Sequence, residues 1–222
     1  MNKALKEAYN PEHFRKSGHE LIDLITNYLN DVAQKKIPTN NWMEPNQQLE
    51  FWENYDFDTK NPLSFFKEVI DKSIHIHHPK YIGHQVAPTA PLSALTTLLS
   101  AILNNGMAVY EMGAVSTAIE KIVVDEILQQ IGYPSDEGDG FITSGGTLAT
   151  LTALLAARKA IAPSDVWEDG HQEKLGVLVS EQAHYCVDKA ARVMGLGSEG
   201  VITVPVGDNY TMKTELLNEY FQ

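Results

Sequence analysis

The residues best suited to chemistry lie in GFITSGGTLATLTALLAARKA, positions 140–160. A short strand over 140–143 runs into a Gly-Gly turn that opens directly onto a helix over 147–161. The first turn of any helix exposes unpaired N–H groups, and its dipole adds partial positive charge there. Glycines let a ligand approach the backbone closely. Gly145 and Gly146, with the hydroxyls of Ser144 and Thr147, therefore describe an anion site suited to a phosphate. The segment is not a Walker loop, because no Lys-Ser/Thr pair follows the glycines, and it lacks GxGxxG. The same residues also fit an ordinary strand-to-helix turn that binds nothing.

His184 falls just past a strand over 177–180, at the strand-end position where open α/β sheets hold their ligands. A structural hydrogen-bonding role is the alternative for a lone imidazole. Cys186, two positions on, diverges from His184 on a helix, so the two form no thiolate pair and Cys186 reads as a small buried apolar residue. Lys189 and Arg192 read as its solvated face. His75, His77, His78 and His84 form a cluster with no carboxylate or thiolate beside it to complete a metal shell, so a structural or pocket-lining role is expected and no metal. Asp136 and Glu137 read as solvated loop residues.

These groups need positioning elements. A helix is expected over 11–36, with Phe14, Leu21, Ile25, Tyr28 and Val32 at helical intervals. An irregular, aromatic-rich arm is expected over 39–60, because aromatic content argues against disorder. Asn61 caps a helix that starts at Pro62 and runs to about 76. Residues 77–91 are too dense in His, Gly and Pro for a regular element. Further helices are expected over 91–105, ended by Gly106, and over 119–131, with Thr117 and Glu120 as a capping box and Gly132 at the close. Beyond residue 140, strands (140–143, 177–180, 201–206) alternate with helices (147–161, 184–194, 212–220), which implies an α/β domain with a largely parallel sheet.

Composition bounds the function. The 222 residues are 43% hydrophobic and 21% charged, an ordinary globular balance. Twenty-nine acids against 17 bases give a net charge of -12, which disfavours nucleic acid and anionic membranes as partners. No apolar run approaches the roughly 18 residues of a membrane helix, and the first residues hold no apolar signal core. The single cysteine excludes an internal disulfide framework. A soluble, cytoplasmic protein is expected.

HPKYIGHQVAPTAP (78–91), TSGGTLATLTALLAAR (143–158) and SEQAHYCVDKAARVMGLG (180–197) together resemble the front half of the group II pyridoxal-phosphate-dependent amino-acid decarboxylases, the family of glutamate, aromatic and diaminobutyrate decarboxylases. The resemblance implies the fold of a type I pyridoxal-phosphate-dependent transferase, with a helical dimerisation arm and pocket-lining loop over 1–90 and the front part of the cofactor-binding α/β domain over 91–222. It implies pyridoxal 5′-phosphate as cofactor, an amino acid as substrate and a homodimer. Ser144, Gly145, Gly146 and Thr147 match the turn that holds the cofactor phosphate, and His184 the imidazole stacked on the pyridine ring. Thr89, with His84 nearby, matches the substrate pocket, and the stretch around Ala108 and Val109 one that reaches the partner's active site. The implied reaction is loss of the amino acid's carboxylate as CO2. The family's His-Lys pair and its pyridine-nitrogen aspartate lie downstream of these motifs and are not found here, so the chain is expected to be an incomplete part, inactive alone. The alternatives are a carbon–carbon lyase like sphingosine-phosphate lyase, a desulfurase-like enzyme and a non-catalytic fragment.

Overall fold

Proline placement sets the starts of four helices in the computed structural model, which describes residues 3–57, 61–134 and 138–220. The chain forms two units, the first ending at Asn104 and the second beginning at Asn105.

The first unit is helical. α1 (Lys3–Ala8) precedes α2 (Pro11–Ala33), where the Asn10 side chain accepts the Glu12 N–H and Pro11 fills the first turn. α2 ends at Ala33, earlier than expected, with Lys35 in a left-handed conformation. The 39–60 segment departs from the expected irregular arm. It contains α3 (Pro45–Glu53), begun by Pro45 with a reciprocal cap between Glu44 and Gln47 at that same end. α4 (Pro62–Asp71) starts as expected, Asn61 accepting the Ser64 N–H at 2.8 Å, a cap contributing about 1 kcal/mol. It stops five residues short of the expected end. α5 (Pro91–Leu103) is terminated by Asn104 in the left-handed region rather than by Gly106.

The core of this unit is largely aromatic. Tyr55 is buried among Phe51, Trp52, Phe57 and Phe65, with ring centroids 4.9–6.0 Å away. Lys72 stands 3.8 Å over the Phe51 ring. Val32 is fully buried, and α2 packs on α4. Residues 39–41 are stitched to the end of α4: Asn40 bridges Ile74, Asn41 Nδ2 donates to the Asp71 carbonyl at 2.7 Å, and the His75 N–H donates to the Thr39 carbonyl at 3.1 Å.

The second unit opens with α6 (Tyr110–Gln130), kinked at Gly113 (φ -138°, ψ 37°). The Gly113 position is tight: an added Cβ would stand 2.5 Å from the Gly106 carbonyl oxygen. Thr117 lies inside this helix and donates its hydroxyl to the Gly113 carbonyl at 2.9 Å, so the expected capping box is absent. Gly132 (φ +85°) closes the helix as expected. Residues 140–143 form no strand: the Ile142 N–H donates to Glu120 Oε1 of α6 at 2.8 Å instead of to a neighbouring strand.

α7 (Gly146–Ile161) follows, then β1 (Val177–Ser180), α8 (Cys186–Val193), β2 (Val201–Val204), a 3-10 turn (Thr214–Leu216) and α9 (Leu217–Tyr220). β1 and β2 pair in parallel, Val177 opposite Val201, with α8 in the connection that a parallel pair requires. The apolar interior of this unit includes Val204, Ala190, Ala191, Cys186 and Met194, and α7 packs against α8. Burying a residue such as Val204 stabilises the fold by roughly 1.5–3 kcal/mol. The loop residues Asp136 and Glu137 lie outside the described residues.

Candidate functional site

The turn that begins α7 is built to leave its amides free. The Thr143 hydroxyl donates to the Gly145 carbonyl at 3.0 Å, and the Leu148 and Ala149 N–H groups converge on the same oxygen at 3.1 and 3.2 Å. Gly145 is the N-cap and supplies no side chain, so the amides of Gly146 and Thr147 have no acceptor among the described residues. A Cβ added at Gly145 or Gly146 would meet nothing within 4 Å, so the backbone can be approached from outside. Arg158 and Lys159 in the last turn of α7 complement the other end of its dipole.

Ser144, Gly145, Gly146 and Thr147 all line one cleft of about 360 Å³. Its other walls are Leu148 and Leu151 of α7 and Lys189, Ala190 and Val193 of α8. The two helices are joined between Thr150 Oγ1 and Cys186 Sγ, 3.4 Å apart. Cys186 is buried, as expected of a small apolar residue. Arg192 and Lys189 are both exposed, but Lys189 also borders the cleft, which its placement on a solvated face did not anticipate. Residue type and spacing carried no signal for that, because the cleft wall depends on how α7 packs on α8.

His184 lies between the end of β1 and the start of α8. It is exposed, and its Nδ1 accepts the Cys186 N–H at 3.2 Å, which places the proton of the neutral ring on Nε2. Its ring lies 4.2 Å from that of Tyr185. His184 does not line the cleft itself; it precedes the helix that does.

The approach to the turn is fixed by charge. Asp139 accepts the Gly140 N–H and Lys121 Nζ, and these hold its carboxyl below the usual carboxylate range. Lys121 also reaches Asp125 of α6 at 3.1 Å. With the Glu120–Ile142 bond, these contacts tie residues 139–142 to α6. The spacing of the sequence pairs Glu120 with Thr117 as a capping box and carries no signal for this bond, whose partner lies 22 residues away.

Thr89 and His84 belong to the first unit, where both are exposed; His84 lines an open cleft there with His77, His78 and Tyr81. His75 and His78 are buried, with structural partners: His75 Nδ1 meets the Tyr28 hydroxyl at 3.3 Å, and His78 Nδ1 meets the Thr39 hydroxyl at 3.1 Å and accepts the Lys80 N–H. Among the described residues no three His, Cys, Asp or Glu side chains gather as a metal set.

Residues 63–222 match the model of the pyridoxal-dependent decarboxylase conserved domain. The chain belongs to the pyridoxal-dependent decarboxylase family. It is 32% identical over 164 residues to an L-2,4-diaminobutyrate decarboxylase of Acinetobacter baumannii, a match covering 68% of this chain and 32% of that protein. It is 25% identical over 211 residues to an aromatic-L-amino-acid decarboxylase of Bacillus atrophaeus, covering 94% of this chain and 42% of the relative. The fold is similar to that of mouse CSAD, with a TM-score of 0.83 at 20% identity over 95% of this chain and 45% of that one. The chain thus spans 32–45% of the length of these relatives, and its helices and small parallel sheet are the front part of the family fold.

Proposed function

We propose that this chain supplies the cofactor-phosphate site and one face of the ring site in a pyridoxal-dependent amino-acid decarboxylase. The observation that carries the reading is the cleft at the start of α7, where two free amides and the Ser144 and Thr147 side chains line one space. These residues fit the phosphate of pyridoxal 5′-phosphate: the amides have no acceptor among the described residues, and no Cβ obstructs the backbone at either glycine.

When bound, pyridoxal 5′-phosphate supplies an electron-accepting ring for the bonding pair left when the amino acid's carboxylate departs as CO2. The α7 amides and the two hydroxyls bind the phosphate and so fix where the ring lies. His184 presents a flat imidazole beyond β1 for stacking on that ring, a contact contributing about 0.5–1.5 kcal/mol. The Cys186 N–H bond to Nδ1 keeps its Nε2–H available as a donor. Thr89 and His84 are assigned to the substrate pocket by the motif they stand in. Relatives named as decarboxylases support this reaction over the cleavage of a sphingosine-phosphate-lyase-type enzyme or desulfuration.

A second copy of the chain is the partner in this reading, supported by exposed apolar side chains on α5, among them Leu92, Leu99 and Ile102. Among the described residues no helix is long and apolar enough to cross a membrane. A cytoplasmic setting is part of the same reading, supported by the acidic balance and the unpaired Cys186.

The test is cofactor binding and turnover in the full-length protein. Gly146→Val should abolish cofactor uptake by filling the space before the amides, with the melting temperature little changed because the added atoms meet open space. His184→Ala should weaken uptake only a few-fold, as one aromatic contact implies, and reduce turnover further. Normal cofactor affinity in Gly146→Val would overturn the phosphate assignment, and full turnover with normal affinity in His184→Ala would overturn the stacking assignment.

A further inference from the structure

The phosphate cleft has a charged residue among those that line it. On α8, Cys186 is buried away from the cleft, while Lys189 and Val193, four apart and so on one face, border the cleft together with the buried Ala190. Four of the five side chains that α7 and α8 contribute beyond the turn are hydrocarbon: Leu148, Leu151, Ala190 and Val193. Lys189 is the fifth, and the one formal charge among the residues lining this cleft. Its neighbours on α8 are spent on each other, since Arg192 Nε donates to Asp188 Oδ2 at 2.8 Å. Lys189 enters no ion pair among the described residues; its amide bonds the Tyr185 carbonyl within the helix, and its ammonium is left over.

We propose that Lys189 is a phosphate-positioning residue whose ammonium closes the anion site from the α8 side. The inference rests on the assignment of the α7 turn as the phosphate site. The charge balance of that site calls for such a group. A phosphate monoester carries about -1.5 to -2 at neutral pH, whereas a helix N-terminus offers only about +0.5. The chain's net charge of -12 raises the cost of holding a dianion anywhere on it. A lysine adds one full positive charge on a stem long enough to follow the ligand. Because Lys189 is exposed, its contribution is a several-fold one, sensitive to salt.

The experiment measures equilibrium binding of pyridoxal 5′-phosphate and of pyridoxal, which lacks the phosphate, to the full-length protein and its Lys189→Met, Lys189→Arg and Gly146→Val variants, with inorganic phosphate as competitor. Lys189→Met is expected to weaken pyridoxal 5′-phosphate binding roughly three- to tenfold at low salt, with a smaller difference at high salt. It should leave pyridoxal binding and the melting temperature unchanged and make inorganic phosphate a poorer competitor. Lys189→Arg should stay within about twofold of the parent, since the charge is kept. Unchanged cofactor affinity in Lys189→Met, or an equal loss for pyridoxal, overturns the proposal. If Lys189→Met has no effect while Gly146→Val abolishes binding, the turn stands and Lys189 has no part in it. If Gly146→Val binds normally, the turn assignment fails and this proposal falls with it, whatever Lys189→Met does.

Discussion

At the scale of single residues, the imidazoles divide by burial. His184 is exposed and its ring proton is placed by one backbone bond, which suits a group that meets a ligand. His75 is 1% exposed and is held by Tyr28 and the Thr39 carbonyl, which suits a group that holds a fold together. Burial pushes the His75 value below its ordinary 6.5; Asp71 opposes that shift and His78 adds to it. A lowered folded-state value means that the unfolded chain takes up the proton first. The contribution of His75 to stability is therefore complete above about pH 6.5 and is lost as the pH falls from there toward the lowered value. Urea midpoints at about pH 7.5 and pH 5.5 should show the first unit weakening on acidification, less so in a His75→Phe variant. The same acid loss in parent and variant would assign the weakening to other groups.

At the scale of elements, the approach to the Gly145-Gly146 turn depends on α6. Glu120 receives the Ile142 N–H at 2.8 Å, so one carboxylate stands where a sheet neighbour was expected. Glu120→Ala removes the acceptor of a charge-assisted bond and should destabilise the second unit by about 1–2 kcal/mol, with faster amide exchange at Ile142. Glu120→Gln keeps a carbonyl acceptor and should recover most of that loss. Equal protection of the Ile142 amide in Glu120→Ala would remove this role.

The site elements were legible in the sequence for local reasons. Gly145-Gly146 before an apolar helix, and His184 after a valine-rich strand, are signals carried by a few adjacent residues. Asn61-Pro62 and Gly132 likewise marked real helix ends through their own backbone chemistry. The features that escaped depend on distant partners. α3 was hidden because its apolar face packs in an aromatic cluster completed by Phe65. Thr117 looked like a cap but bonds backward inside a longer helix, and residues 140–143 had strand composition without a strand's neighbour.

For the whole molecule, the balance between apolar surface and charge decides behaviour in solution. α5 carries Leu92, Leu95, Leu99, Ile102 and Leu103 at helical spacing, each between 48% and 74% exposed. Covering such a stripe is worth roughly 25 cal/mol per Å² of apolar surface, and patches of this kind on a lone chain drive association. A net charge of -12 opposes the approach of two copies. That repulsion is long-ranged at low salt and reaches only a few ångströms near 1 M, whereas apolar association is not screened. The 222-residue chain should therefore associate, and more so as salt rises. Light scattering at about 0.05 M and 0.5 M NaCl should show particles larger than a monomer, growing with salt, together with binding of an apolar dye. A Leu95→Glu/Leu99→Glu variant places two charges one turn apart on the stripe and should shift the population toward monomer at both concentrations. Monodisperse monomer at high salt in the parent chain would show that the α5 stripe drives no association, and would remove the support it lends to a second copy as partner.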